Sequence, residues 1–190
     1  GHTRASDEVA RRAEEMGANQ ETHLFNGMEP MHHREPGMVG AALALDDVYC
    51  QLIADNIHIH PAVLKIAVRA KGLDRILLIT DAMRGVGMPD GEYRLGGLVV
   101  TVKQGEARLP NGALAGSTLT LDRALVNIMA ATGLPLTDVL LMATRNPARA
   151  LGLQARKGSI AEGKDADLIV LDDRANVNLT LVGGEIVYRR

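Results

Sequence analysis

Residues 75–80, RILLIT, are the part of the sequence that most constrains the fold. The run is almost entirely apolar, which is typical of a parallel strand that is buried on both faces by helices. Asp81 follows it directly, so a polar side chain is expected at the carboxyl end of this strand. The sequence therefore predicts an α/β protein, either a barrel or an open sheet, with polar residues at strand ends.

The segments before this strand are also predicted to be helices and strands. A helix is predicted from Ser6 to Met16, with Ser6 or Asp7 as its cap and Gly17 ending it. Pro61 stands where a helix favours proline and predicts a second helix up to Gly72. Two strands are expected between these helices. In chain order the predicted elements cover residues 6–16, 21–26, 48–57, 61–70 and 75–80.

The rhythm changes after Asp81. Residues 91–116 are rich in glycine and contain the short β patterns LVVTV and EARL, which predict a β-hairpin insertion. Three helices should follow: one capped by Ser117 or Thr118, one opened by Pro135, and a short one capped by Asn146. The segments GSI, DLIVLD, VNLTLV and EIVYRR are then expected to form strands. We predict one domain over residues 1–152 and part of a small β domain over residues 153–190.

Composition limits the possible functions. The chain has 190 residues, of which 46% are apolar, so it can bury a sizeable core. The net charge is −2 without a basic block, which argues against a nucleic-acid partner. No apolar run is long enough to predict a membrane partner. Cys50 is the single cysteine, so a disulfide framework is excluded and a reducing, cytoplasmic setting is expected.

Three side chains at strand ends suggest a site for metal binding and catalysis. His23 and Asp81 lie at or near the ends of predicted strands, and His2 lies where a strand would just have ended. Two imidazoles suit a divalent metal that activates water, and the carboxylate suits a general base. The alternative is a hydrogen-bonded core histidine at His23 and a loop cap at Asp81, because no short metal motif is present.

A second group of residues is suited to binding an anion. The guanidinium of Arg34 can bind a phosphate with two parallel hydrogen bonds, and His58 can add another. Asn26 and Gly27 follow a predicted strand, where glycine permits close approach of a ligand to the backbone. The alternative for Arg34 is a solvated loop charge.

Several motifs, in this order, closely resemble N-acetylglucosamine-6-phosphate deacetylase. They are THLFNGMEP with HHREPG, IADNIHIHP, LLITDAM, GALAGSTLTLDRAL and MATRNPARALGL. The closing GSIAEGKDADLIVLD is similar to a segment found across the wider amidohydrolase superfamily. The resemblance extends over essentially the whole chain. It implies the C-terminal half of a TIM-like (β/α)8 barrel plus strands of a small β-sandwich domain.

The resemblance also implies roles for individual residues. His2 and His23 would be metal ligands, and Asp81 would be the catalytic acid and base. The substrate-contacting positions would be Asn26, Gly27, Arg34, His58, Leu114, Ala115 and Gly116. Gly27 stands where alanine is common in the family and Asn56 where glycine is common. The metal would be a divalent ion, with zinc favoured over iron, manganese or cobalt.

The family is about twice as long as this chain, so we expect a fragment. The missing half would supply four barrel strands, a glutamate metal ligand and a histidine that polarises the acetyl carbonyl. The expected reaction is hydrolysis of the acetamide of N-acetylglucosamine 6-phosphate, by a homodimer.

Three alternatives stay open. The chain could act on another sugar phosphate, such as N-acetylgalactosamine 6-phosphate. It could bind a phosphosugar without catalysis. It could also be a structural half-barrel that pairs with its missing half or with a second copy.

Overall fold

A parallel sheet of three strands forms the centre of the chain in the computed structural model, which describes residues 1–190. The strands are β1 (Gln20–Glu21), β2 (Tyr49–Ile53) and β3 (Ile76–Ile79), in that spatial order. Cys50 of β2 pairs with Glu21 on one side and with Ile76 on the other. The apolar run that ends at Thr80 is therefore a parallel strand, as the sequence predicts.

Helices cover this sheet. They are α1 (Asp7–Glu15), α2 (Gly37–Ala44), α3 (Pro61–Lys71), α4 (Leu121–Thr132), α5 (Leu136–Ala143) and α6 (Arg145–Ala150), with a 3₁₀ turn at Leu73–Arg75. The main core joins strands and helices in one cluster that includes Leu52, Leu64, Ile76, Ile128 and Met142, all fully buried. Helices α2, α3, α4 and α5 thus contribute apolar side chains to the same core that fixes the strands.

Helix α2 was not predicted from the sequence. Its middle residues Val39, Ala41 and Ala42 are buried, and no side chain caps its first turn. A helix with no polar stripe gives no amphipathic pattern in the sequence. With α2 in place, strands and helices alternate regularly from α1 to β3.

The first two strands are shorter than predicted. The strand expected over residues 21–26 ends at Glu21, because Asn26 turns the chain. The backbone N–H of Asn26 donates to the carbonyl of His23 at 2.9 Å, and its side-chain amide donates to the same carbonyl at 3.1 Å. The strand expected up to Ile57 ends at Ile53. There, the carboxylate of Asp55 accepts the backbone N–H groups of Ile57 and His58.

The insertion after β3 is a three-stranded antiparallel sheet. The sequence predicted a two-stranded hairpin, but β4 (Gly91–Leu95) adds a strand to β5 (Leu98–Lys103) and β6 (Glu106–Arg108). A small second core of Met83, Val100, Val102, Ala107 and Ala115 lies under it. This core connects the insertion to the residues that follow β3.

The chain ends in a third sheet, which is antiparallel. It contains β7 (Leu168–Leu171), β8 (Val177–Val182) and β9 (Glu185–Arg189), whereas the predicted strand at GSI is absent. Many of its apolar side chains remain exposed, including Ile169, Val170, Ile186 and Val187. A domain boundary at residue 152 stays a prediction. None of the helices has the length and apolar character that crossing a membrane requires.

Two predicted helix caps are wrong. Thr120 takes the N-cap position of α4, while the hydroxyls of Ser117 and Thr118 bond to carbonyl groups outside the helix. Helix α6 begins before Asn146, which is completely buried. The amide of Asn146 donates to the carbonyl oxygens of Leu73 (2.7 Å) and Ile76 (2.9 Å), so this residue anchors α6 to the start of β3.

Replacing Asn146 by alanine should lower the free energy of unfolding by about 2–3 kcal/mol, because two buried carbonyl groups lose their donor. Urea denaturation of the two proteins measures this difference. Asn111→Ala is the control, since Asn111 is exposed in a loop and caps only the N–H of Ala113. Equal losses in both variants would show that the buried anchor contributes nothing beyond an ordinary turn.

Candidate functional site

The carboxyl ends of the three parallel strands bring polar residues to one edge of the sheet. His23 follows β1, Asp55 follows β2 and Asp81 follows β3. In parallel α/β folds this edge is where ligands bind and where catalytic groups come from several strands. The structure therefore brings these three residues to one edge of the sheet, and their chemical roles stay predictions.

His2 and His23 form a pair at this edge. Their ring centroids are 5.5 Å apart and the rings are close to perpendicular, at 75°. Nδ1 of His23 is buried and has no hydrogen-bond partner. Gly27 lies against the other ring, because a Cβ atom built on it would be 2.6 Å from Nδ1 of His2. An alanine here would thus force the imidazole of His2 to move.

The pair fits part of a metal site. Imidazole nitrogens are good ligands for zinc and similar ions, and a buried nitrogen without a partner is costly unless something occupies it. No group of three or more histidine, cysteine, aspartate or glutamate side chains is close enough to hold an ion. The chain thus offers two ligands, and Asp81 does not join them in one cluster.

Asp55 and His58 form a buried carboxylate–imidazole pair. Oδ2 of Asp55 is 2.7 Å from Nδ1 of His58, and the two side chains are only 8% and 6% exposed. Burial alone would raise the pKa of Asp55, but the hydrogen bonds from the His58 ring and from the backbone N–H groups of His58 and Ile57 outweigh it and lower that pKa. This arrangement orients the His58 ring and leaves its Nε2 for a ligand.

The pairing partner of His58 was missed from the sequence. Asp55 stands three residues before His58, directly after a strand, and that spacing could have indicated a turn closed by the carboxylate.

Asp81 lies just beyond β3 with its side chain exposed. Its backbone has a left-handed φ of 50°, which is uncommon for residues other than glycine. The carbonyl of Asp81 accepts the backbone N–H of Ser117 at 2.8 Å. The predicted base is thus held by a segment that is distant in sequence.

The residues Leu114, Ala115 and Gly116 approach the same point. The N–H of Ala115 donates to Ala107 at 3.0 Å, which ties the segment to β6. Gly116 has a φ of +66°, and a Cβ atom built on it would be 3.2 Å from the carbonyl oxygen of Asp81. Only glycine allows this close approach. The structure therefore brings the predicted pocket segment next to Asp81.

Arg34 is hydrogen-bonded to a neighbouring histidine in its own loop. Its guanidinium contacts Nε2 of His33 at 2.7 Å, its side chain is exposed, and no hydrogen bond joins it to His58. The structure thus places Arg34 in an exposed loop with His32 and His33, whose rings are 4.2 Å apart. The amide of Asn26 is also engaged locally, with the carbonyl groups of His23 and Leu24.

Another cleft lies away from this edge. It has a volume of about 630 Å³ and is lined mainly by apolar side chains of α5, α6, β7 and the segment that leads into β7. None of the predicted site residues lines it. The charged groups in its lining, Lys157, Asp165 and Asp167, are paired with one another in salt bridges, so none of them is left free for a ligand.

Glu21 is a buried acid at the end of β1. Its side chain is fully buried, and neither carboxylate oxygen has a hydrogen-bond partner. Burial raises the pKa of Glu21 to about 8. Cys50, its strand neighbour, is also buried, and burial raises the pKa of its thiol to about 12.

A parallel sheet with histidines and carboxylates at its carboxyl edge defines an α/β protein with an enzyme-like site. The model of the amidohydrolase family matches residues 1–187. This chain belongs to the amidohydrolase family, whose members are generally metal-dependent.

Two proteins with names are similar to this chain over almost its whole length. The chain is 45% identical, over 186 residues, to N-acetylglucosamine-6-phosphate deacetylase of Lysinibacillus sphaericus, covering 98% of this chain and 48% of the relative. It is 41% identical to N-acetylgalactosamine-6-phosphate deacetylase of Escherichia coli O157:H7, covering 98% of this chain and 49% of the relative.

The fold matches a solved structure as well. The crystal structure of N-acetylglucosamine-6-phosphate deacetylase from Thermotoga maritima superposes with a TM-score of 0.96 at 41% identity, covering 100% of this chain and 52% of that one. The chain thus spans about half the length of these three proteins. The α/β fold predicted from the sequence, half of a barrel enzyme, is confirmed.

Asp55→Asn should destabilise the protein by about 1–3 kcal/mol near neutral pH, because a charged acceptor of three hydrogen bonds is lost. The pKa of Asp55 is lowered by folding, so its stabilising effect is present above the ordinary aspartate pKa and disappears as the pH falls below it. Urea denaturation at several pH values measures the difference between the variant and the original protein. The difference should shrink in acid, whereas Asp173→Asn, at an exposed position, should change little at any pH. A constant difference would contradict the charged pairing.

The contribution of Glu21 to the free energy of unfolding should depend on pH in the opposite direction to that of Asp55. Folding raises its pKa, so the proton bound in the folded state stabilises it below the ordinary glutamate pKa, and this stability is lost as the pH rises towards about 8. The slope should approach about 1.4 kcal/mol per pH unit over that window. Glu21→Gln should remove the slope, while the exposed Glu8→Gln should retain it. Identical slopes in Glu21→Gln and the original protein would show that Glu21 is not a buried acid.

Proposed function

We propose that this chain carries the acid–base half of an N-acetylglucosamine-6-phosphate deacetylase, which hydrolyses the acetamide to glucosamine 6-phosphate and acetate. The observation that supports it most is the pairing of His2 with His23 at the same sheet edge as Asp81, in a chain 45% identical to a protein of that name. The similarity to that relative extends over 98% of the chain.

Asp81 is the proposed acid and base. Its exposed carboxylate accepts a proton from the attacking water and then gives that proton to the amine nitrogen as the C–N bond breaks. Without this second step the amine would be a poor leaving group. The left-handed backbone at Asp81 supports the role, because strained conformations are concentrated at functional sites.

His2 and His23 are the residues that would hold the metal, and Zn²⁺ is the proposed ion, with iron, manganese or cobalt as alternatives. When bound, a divalent ion supplies Lewis acidity at this edge. The buried, unpaired Nδ1 of His23 supports this assignment. Since the chain offers two ligands, the remaining ones are proposed to come from the part of the longer enzyme that this chain does not contain.

The phosphosugar is proposed to contact two regions of the edge. The ring of His58, oriented by Asp55, offers Nε2 to the substrate, and Arg34 offers its guanidinium to the phosphate. The backbone at Asn26 and Gly27, together with Leu114, Ala115 and Gly116, forms the proposed sugar contacts. The guanidinium of Arg34 contacts His33, so we expect it to exchange this contact for the phosphate when the substrate binds.

N-acetylgalactosamine 6-phosphate is a second candidate substrate, because a relative named for it is 41% identical over 98% of this chain. The two sugars differ only in the orientation of one hydroxyl group. Comparing kcat/KM for the two epimers distinguishes the candidates, and the larger value identifies the preferred substrate.

A cytoplasmic location and a homodimer are proposed as well. The single cysteine supports the first, because Cys50 is buried with a raised pKa and forms no disulfide. The exposed apolar side chains of the third sheet support association with a further polypeptide surface. Sedimentation of the protein over a range of concentrations tests the dimer.

The central test is the release of glucosamine 6-phosphate from its N-acetyl form in the presence of Zn²⁺. It is run on this chain alone and on this chain together with the N-terminal half of the Lysinibacillus sphaericus relative. In the form that is active, Asp81→Asn should lower kcat by about 10²–10⁴-fold, the usual contribution of a general acid–base.

Asp173→Asn, a change of the same kind at an exposed position in the loop before β8, is the control and should retain full turnover. Normal kcat in Asp81→Asn would contradict the role of Asp81. No product from either form would count against the proposed activity of this chain.

A further inference from the structure

Ser117 stands out among the polar residues outside the proposed machinery, because it is 2% exposed and forms several hydrogen bonds at the end of β3. Its hydroxyl donates to the carbonyl of Thr80, the residue before Asp81, and accepts the N–H of Leu119 at 3.1 Å. Both functions of the hydroxyl are therefore used.

The backbone of Ser117 adds two hydrogen bonds around Asp81. We call the hydrogen bonds that join Ser117 to Thr80, Asp81 and Met83 the clasp. The N–H of Ser117 donates to the carbonyl of Asp81 at 2.8 Å, and its carbonyl accepts the N–H of Met83 at 2.9 Å. Together with the hydroxyl, these bonds hold the residue before Asp81, Asp81 itself and the second residue after it. The clasp continues the parallel pairing of the sheet, because Ala82 and Ser117 form a parallel bridge.

Asp81 needs such a clasp for two reasons. Strand β3 ends at Ile79, so the sheet no longer fixes the chain at Asp81. The left-handed φ of 50° is also uncommon for a residue with a side chain, and it persists only where neighbours impose it. The direction of the Asp81 carboxylate depends on that backbone angle.

We infer that Ser117 is a positioning residue for the reaction, whose hydroxyl holds the backbone at Asp81 in the conformation that aims its carboxylate. The inference rests on the proposed function, in which Asp81 is the acid and base. Ser117 itself touches neither substrate nor metal in this account, and it acts through the backbone of Thr80 and Asp81.

Thr118 offers a matched control. It is the next residue, it also carries a hydroxyl, and that hydroxyl also donates to a carbonyl group, that of Gly105 at 2.7 Å. Gly105 lies in the turn between β5 and β6, and no hydrogen bond joins Thr118 to Thr80, Asp81 or Met83. Removing one hydroxyl or the other therefore separates an effect at Asp81 from a general effect on the insertion.

The test compares Ser117→Ala, Ser117→Thr and Thr118→Ala in the form of the enzyme that is active in the assay described above. In Ser117→Ala we expect kcat to fall about 10- to 100-fold, as for a misplaced catalytic group, with KM almost unchanged. Ser117→Thr keeps a hydroxyl and should restore most of kcat. Thr118→Ala should leave both constants unchanged.

A second measurement, on the chain by itself, does not require activity. Amide hydrogen exchange at Met83 and Ser117 reports the clasp directly, and Ser117→Ala should speed exchange at both by about fivefold, the value of one typical hydrogen bond. Thr118→Ala should not change exchange at Met83. Ser117→Thr keeps the hydroxyl, so its exchange should match that of the original protein, and faster exchange there would count against the role of the hydroxyl.

The outcomes distinguish this inference from the proposed function. Normal turnover in Asp81→Asn overturns the proposed function. An inactive Asp81→Asn together with a normal kcat in Ser117→Ala overturns the positioning role alone. Unchanged exchange at Met83 in Ser117→Ala, or a loss of kcat as large in Thr118→Ala, also overturns it.

Discussion

The parallel pairing of β1, β2 and β3 is the constraint on which the candidate site depends. In this register Cys50 lies between Glu21 and Ile76, so the three strands end at the same edge and the residues after them become neighbours. Side chains such as Leu52 and Ile76 are fully buried among the helices, so close packing around them holds the strands in this register. The positions of His23, Asp55 and Asp81 follow from that pairing.

The backbone immediately after the strands shares an unusual feature. His23, Asn56 and Asp81 all have positive φ angles, of 42°, 65° and 50°, and so does His2, with 53°. Each such residue costs of the order of 1 kcal/mol relative to a relaxed conformation. The cost is offset by local hydrogen bonds: the Asn26 turn after His23, the Asp55 turn around His58 and the contact of Asp81 with Ser117. The strained backbone at this edge thus lowers the stability of the folded state, and the core and these hydrogen bonds compensate for it.

How much the sequence could predict depends on the range of the interaction. The apolar run of β3 and the proline at the start of α3 are local signals, and both predictions are confirmed. Helix α2 was missed because a buried helix has no polar face, and Asn146 was taken for a cap although it bonds to carbonyl groups about seventy residues away in sequence. Such long-range contacts leave no local pattern.

The same distinction holds for the site. His23 and Asp81 could be found because each follows a strand, and the buried partner of His58 could have been found from its short spacing to Asp55. The approach of Leu114, Ala115 and Gly116 to Asp81 has no such signal, because an entire antiparallel sheet separates them in the chain. The resemblance to a known family supplied that segment, and the structure supplies the physical reason for its position.

The metal content of the active preparation tests most directly the claim that this edge is a reaction site. The original protein, dialysed against buffer with trace Zn²⁺ and analysed by elemental mass spectrometry, is expected to retain at least one ion per active site. The variant with both His2→Asn and His23→Asn is expected to lose it while remaining folded. Stoichiometric metal in that double variant would contradict the account, because the ion would then be held by residues other than the imidazole pair at the end of the sheet.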